Sequence, residues 1–68
     1  MTRKDYELIA SVLSNSDEMI DEYALEALAE NFAEALAKDN PRFDSKIFIA
    51  RATWTSAKRE ALYAQLQD

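Results

Sequence analysis

The residues best placed to do chemistry in this 68-residue sequence are glutamates that recur every four positions. They are Glu18, Glu22, Glu26, Glu30 and Glu34. Residues four apart share one face of an α-helix, so these carboxylates would form a single acidic row. Carboxylates bind magnesium or calcium, and pairs of them serve glycosidases as acid and base. A row on one exposed helix lacks both the loop of a calcium site and the enclosed cleft of a catalytic pair. We therefore expect neither a metal site nor catalysis from it.

The composition excludes most other site chemistry. The sequence contains no histidine and no cysteine, which removes the commonest general base, the thiolate nucleophile and the usual zinc ligands. It also contains no glycine, so the loops that cradle phosphates in nucleotide-binding proteins cannot be built. We expect no catalytic residues, no cofactor and no metal, and hence a protein that is not an enzyme. Such a chain acts by contact with another macromolecule.

The charges are unevenly distributed along the chain. The net charge is −5, and the stretch from Asp5 to Glu34 holds nine acidic residues and no basic one. The basic residues of the second half are Lys38, Arg42, Lys46, Arg51, Lys58 and Arg59. One hypothesis is that the acidic row, with Trp54 as an aromatic anchor, binds a protein partner. The alternative is a small helical regulator whose basic 38–59 region binds DNA or RNA, which the net negative charge opposes. A third reading leaves both sets as solvated helix faces.

The acidic row belongs to a long predicted helix over about 17–39. Two neighbouring apolar rows accompany the glutamates at helical spacing: Ala24, Leu28, Phe32 and Leu36, and Leu25, Ala29, Ala33 and Ala37. Ser16 or Asp17 would cap its start, and Pro41 would force its end. At about 1.5 Å per residue this helix would be about 35 Å long, more than the diameter of about 30 Å expected for a compact chain of this size. Protruding apolar surface would then be covered by a second copy, so we predict a homodimer.

A first helix is predicted over about 3–14, ahead of the long one. Thr2 and Asp5 have the spacing of a capping box. An apolar stripe for the core follows at helical spacing, namely Tyr6, Ile9, Ala10 and Leu13, with Leu8 and Val12 widening it. The polar segment 14–17 reads as a tight turn, so the first two helices should form an antiparallel hairpin.

The last third of the chain is predicted to be helical from 45 to about 66. Asp44 is placed to cap a helix that starts at Ser45, and Phe43 to pack on Phe48 as a hydrophobic staple. The apolar spacing fits one continuous helix, whereas the capping residues between 53 and 56 favour a break, with Thr55 or Ser56 starting a fourth helix. The sequence leaves both alternatives open.

These elements define the expected fold class. No stretch alternates with period two, and without glycine no primed hairpin turn is available, so strands are not expected. We predict a single all-α domain over 1–68, a small three- to four-helix bundle with one long central helix. No apolar run reaches the length of a membrane span or resembles a signal peptide, so we expect a cytoplasmic protein without membrane contact.

Two short motifs carry a resemblance to a known group of proteins. The opening Thr2–Tyr6 (TRKDY) and the segment Asp39–Asp44 (DNPRFD) resemble the same features in very small proteins of tailed bacteriophages. The resemblance covers residues 1 to about 50, and this chain continues beyond it to Asp68. Those relatives have no assigned activity, so no functional residue is carried over. The resemblance implies a phage-encoded accessory protein in a bacterial host cytoplasm.

Overall fold

The computed structural model describes residues 1–66, and that part of the chain contains four α-helices and no strand. The helices are α1 (Arg3–Ser14), α2 (Glu22–Asp39), α3 (Ser45–Ala52) and α4 (Ser56–Leu66). The predicted all-α class is confirmed, and α2 is the longest element. The molecule is elongated, with extents of 44 × 21 × 16 Å.

The first helix begins where its capping residues predict. The backbone N–H of Thr2 donates to the Asp5 carboxylate at 2.8 Å, which satisfies a donor that the first turn would otherwise leave free. Tyr6 and Ile9 are partly buried, and Ala10 and Leu13 are fully buried. The predicted stripe is therefore confirmed, but its widening is wrong. Leu8 and Val12 are exposed, because they lie on the opposite side of α1 from the core residues.

The second helix begins later than predicted, and its cap is Asp21, not Ser16 or Asp17. The Asp21 side chain accepts a hydrogen bond from the Ala24 N–H at 2.8 Å. The reason lies in Ile20, which packs against the core. In a helix running from residue 17, Ile20 would lie about 180° around the axis from the buried Ala29. Because the chain turns before Asp21, Ile20 is not part of the helix and can pack against the core.

The third helix packs against both α1 and α2. Asp44 caps it by accepting from the Ile47 N–H at 3.1 Å, and the rings of Phe43 and Phe48 lie 5.4 Å apart, so the predicted cap and staple are confirmed. Contact between α1 and α2 themselves is much more limited. The predicted hairpin, in which α1 and α2 pack mainly on each other, is therefore wrong. Both helices pack mainly on α3.

The core is small and rich in alanine. The buried hydrophobic residues within the described part are Ala10, Leu13, Leu25, Ala29, Ala33, Phe48 and Ala52. Leu25, Ala29 and Ala33 form one of the two apolar rows predicted for α2. The alanines let helix backbones approach closely, but they bury little apolar area. Larger side chains therefore supply most of the buried apolar area. Leu13, Leu25 and Phe48 are buried, and six partly buried residues pack against the core, namely Tyr6, Ile9, Ile20, Leu36, Phe43 and Ile49.

The break between α3 and α4 settles the question left open for residues 45–66. The Thr53 hydroxyl donates to the Ile49 carbonyl at 2.8 Å at the end of α3, and the Lys58 N–H donates to the Thr55 hydroxyl at 3.3 Å at the start of α4. Thr55 itself is buried. In α4, no described residue is buried. The two-helix alternative is correct, and the last helix lies outside the core.

None of the helices in residues 1–66 has the length and apolar character needed to cross a membrane.

Candidate interaction surfaces

The acidic row is shorter than the sequence spacing predicts. Glu18 lies in the turn before α2, because the helix begins only at Glu22. The other four glutamates of the row are on α2 and all are exposed, namely Glu22, Glu26, Glu30 and Glu34. The placement of Glu18 on the same helical row is therefore wrong.

Two of the four helical glutamates face nearby lysines. Glu22 lies 3.7 Å from the Lys58 ammonium of α4, and Glu34 lies 3.6 Å from Lys38 one turn along α2. Such exposed pairs stabilise a protein by at most about 1 kcal/mol, but they partly neutralise the charge that a partner would meet. Glu26 and Glu30 make no ion pair within residues 1–66. Within the row, the two glutamates without an ion pair are thus the ones at the middle of the helix.

Tyr23, an aromatic residue to which the sequence assigned no role, lies on the same side of α2 as Glu30. Tyr23 is 87% exposed, and it precedes Glu30 by seven residues, or about two helical turns. It lies about 160° around the helix from the buried Leu25. Its helical position, close to that of Glu30 and far from that of Leu25, is the signal that could have identified it. We call Tyr23, Glu26, Glu30 and Glu34 the acidic face of α2.

The second apolar row of α2 is only partly covered. Leu28 and Phe32 remain 38% and 37% exposed, and Ala24 is exposed as well. The row lies beside the buried one, at the edge of the core formed with α3. This apolar edge is a second surface of α2, distinct from the acidic face.

Half of the six basic residues of the alternative hypothesis already face glutamates of the protein itself. Lys38, Arg51 and Lys58 each lie within ion-pair distance of a glutamate, Arg51 at 3.1 Å from Glu7 of α1. Arg59 contacts the Ser56 hydroxyl on its own helix at 3.4 Å. Arg42 and Lys46 make no ion pair within the described residues. A nucleic acid would compete with the protein's own carboxylates for half of this set.

A cleft lies between the first turns of α1 and one side of α3. It has a volume of about 430 Å³, and Arg3, Arg42 and Arg51 line it together with Glu7. Glu7 bridges two of these arginines, at 3.4 Å from Arg3 and 3.1 Å from Arg51. The cleft therefore already contains a carboxylate that holds its arginines in place.

The aromatic residues of the second half of the chain divide into two pairs. Phe48 is buried and Phe43 is partly buried, and the edge of Tyr6 packs on Phe43 with ring centroids 4.7 Å apart. Trp54 is 44% exposed in the link between α3 and α4, and Tyr63 is exposed on α4. The structure thus assigns the two phenylalanines to the core and leaves Trp54 and Tyr63 accessible to a partner.

Within residues 1–66 no group of three or more side chains with metal-binding chemistry lies together. No protein-family model, curated protein or solved structure matches the chain.

Proposed function

We propose that this chain is a small accessory protein that acts by binding another protein, and that the acidic face of α2 contacts a basic surface of that partner. Binding there would modulate or inhibit the partner. The resemblance of Thr2–Tyr6 and Asp39–Asp44 to bacteriophage proteins supports a phage-encoded protein in a bacterial host cytoplasm as its setting.

The observation that carries this proposal is the side of α2 that the fold leaves uncovered. It presents Glu26 and Glu30 without ion pairs in the described structure, next to the exposed ring of Tyr23. Tyrosine is enriched among the residues that dominate binding at interfaces, and complementary charge accelerates association and fixes orientation. An exposed aromatic ring within an acidic face therefore suits a basic protein surface.

Binding to nucleic acid has less support. The phosphate backbone requires several free lysines or arginines on one surface, because each phosphate contact releases condensed counterions. Three of the six basic residues are within ion-pair distance of glutamates, and the chain as a whole carries a charge of −5. The proposal therefore favours a protein partner over DNA or RNA.

We also propose that the chain forms a homodimer. Contrary to what the sequence predicted, the second helix does not exceed the diameter of a compact chain, because α2 has 18 residues and a length of about 27 Å. Support comes instead from the large hydrophobic side chains that are exposed within residues 1–66. Besides Met1 and Met19 these are Leu8, Val12, Tyr23, Leu28, Phe32, Ile47, Trp54, Leu62, Tyr63 and Leu66. These exposed large side chains outnumber the fully buried ones, which are Leu13, Leu25 and Phe48.

The acidic face is tested by a charge-reversal variant, Glu26→Lys together with Glu30→Lys, in affinity capture from a bacterial host lysate. We expect the wild type to retain a defined protein that the variant loses, because two attractive charges become repulsive. The matched control is Glu18→Lys with Glu60→Lys, which changes the net charge equally at exposed positions outside the acidic face. Circular dichroism should show the same helical signal for all three proteins, because exposed charges contribute little to stability.

The comparison decides between the acidic face and net charge. Loss of the captured protein in both variants would show that overall charge is sufficient, and retention in both would exclude the acidic face. If the wild type captures no protein but shifts DNA in a mobility assay, and if this shift is lost between about 50 and 200 mM salt, the nucleic-acid alternative is favoured.

A further inference from the structure

The last helix, α4, is the part of the molecule least stabilised by the rest. None of its described residues is buried, and Leu62, Tyr63 and Leu66 are exposed on it. Its first turn is held by the Thr55 cap and by Lys58 near Glu22. An isolated helix of 11 residues is only marginally stable in water, since helices shorter than about 12–15 residues gain too little to offset nucleation. The remainder of α4 therefore requires a covering surface.

The accessible area of the whole chain is larger than that of a compact protein of its mass. The chain has 5342 Å² of accessible surface, whereas a compact monomer of 7.8 kDa is expected to have about 4400 Å². The excess of about 900 Å² is close to the area of about 800 Å² that each partner buries in a standard interface. One interface of ordinary size would thus bring the chain to the area of a compact protein.

The charges on α4 indicate which partner fits. Arg59 lies near the start of α4, where the helix dipole disfavours positive charge, and no basic residue lies in the last turn, where it would be favoured. Lys58 beside it is within ion-pair distance of Glu22, and Glu60 follows Arg59. If a second α4 lay antiparallel to the first, Arg59 of each copy would approach the carbonyl end of the other helix. An arrangement of α4 against itself therefore relieves an unfavourable charge distribution that the single chain retains.

We infer that two copies of this chain associate through α4, with the two helices antiparallel and packed through Leu62 and Leu66. These leucines are one turn apart on the same side of the helix, and Arg59 and Tyr63 lie beside them. The contact is isologous, so each side chain meets the same surface of the other copy. The inference rests on the proposed self-association and names its surface.

The first test is the oligomeric state of a double variant, Leu62→Glu with Leu66→Glu, measured by sedimentation equilibrium. We expect the wild type to have twice the monomer mass of 7.8 kDa at high micromolar concentration. The variant should dissociate at least about 100-fold more readily, since four apolar side chains across the two copies are replaced by charges. The matched control is Leu8→Glu with Val12→Glu, which changes two exposed residues at the same spacing on α1.

Each outcome decides the inference. A dimeric wild type and control with a monomeric α4 variant supports it. A monomeric wild type, a dimeric α4 variant or a monomeric control overturns it. Circular dichroism of the α4 variant should retain the signal of α1, α2 and α3, which contain all the buried hydrophobic residues. The capture experiment with the acidic face does not depend on these results, so failure of the dimer and failure of the proposed function are distinguishable.

The second test uses the absence of cysteine from the sequence. In Leu62→Cys with Leu66→Cys, position 62 of each copy faces position 66 of the other across the antiparallel contact, which brings the introduced thiols toward the Cα separation below about 7 Å that a disulfide requires. Mild oxidation should convert this variant to a covalent dimer much faster than the control Leu8→Cys with Val12→Cys, which has the same spacing on α1. Equal rates for the two cysteine variants would overturn the inference even if the glutamate variant of α4 failed to fold.

Discussion

At the scale of single residues, the position of a side chain around α2 decides its role. Leu25 and Leu28 are the same residue type on the same helix, less than one turn apart. Leu25 is 1% exposed, whereas Leu28 is 38% exposed. The sequence spacing predicts both as apolar-row residues but does not show which row faces α3. Which row is buried depends on where α3 packs, and the sequence of α2 alone does not determine that position.

This difference leads to a prediction about stability. Leu25→Ala should lower the free energy of unfolding by about 2–5 kcal/mol, because it leaves a cavity in a closely packed core. Leu28→Ala should lower it by about 1 kcal/mol, since less apolar area is lost from a partly exposed site. Urea denaturation followed by circular dichroism measures both changes. A variant at Leu28 as destabilising as that at Leu25 would show that the apolar edge of α2 is buried in solution.

At the scale of elements, most helices could be predicted from the sequence because their signals are local. The Thr2–Asp5 pair, the Asp44 cap and the Pro41 exit each act over a few residues, and the structure confirms all three. The start of α2 could not be predicted in this way. Ser16, Asp17 and Asp21 are all acceptable caps before Glu22, and the choice among them depends on Ile20 reaching the core.

The start of α2 gives a prediction at this scale. Asp21→Ala should destabilise the protein by about 1 kcal/mol, because the Ala24 N–H loses its acceptor at the first turn. Asp17→Ala removes the same charge from the preceding turn and should have a much smaller effect. Thermal or urea unfolding of the two variants under identical conditions provides the measurement. Equal losses would mean that the helix begins near residue 17, as the sequence spacing suggests.

The candidate surfaces were less predictable than the helices. The sequence identifies the glutamate row and Trp54 as candidate partner-binding residues, but ion pairs between distant elements decide how much charge remains free. Glu22 meets Lys58 across a sequence separation that no periodicity reveals, and the same holds for Glu7 and Arg51. Tyr23 was overlooked because it lies outside both apolar rows.

At the scale of the whole molecule, the balance between core and surface is the dominant feature. Seven buried hydrophobic residues, four of them alanines, stabilise residues 1–66, and the molecule extends to 44 Å along its longest axis. A domain this small buries only about 60% of its unfolded surface even when it is compact. Its stability should therefore depend on association more strongly than that of a larger domain.

Association through α4 makes the helical content of the protein depend on its concentration. On dilution below the dissociation constant of the dimer, each chain loses the surface that covers α4, and a helix of 11 residues without tertiary support should become largely unfolded. The mean helical signal in circular dichroism should then fall by an amount close to the contribution of α4, while α1, α2 and α3 keep theirs. The variant with glutamate at positions 62 and 66 should show the reduced signal at every concentration. A wild-type signal that stays constant from high to low micromolar concentration, in a protein that sedimentation shows to dissociate over that range, would mean that α4 is stable without its partner.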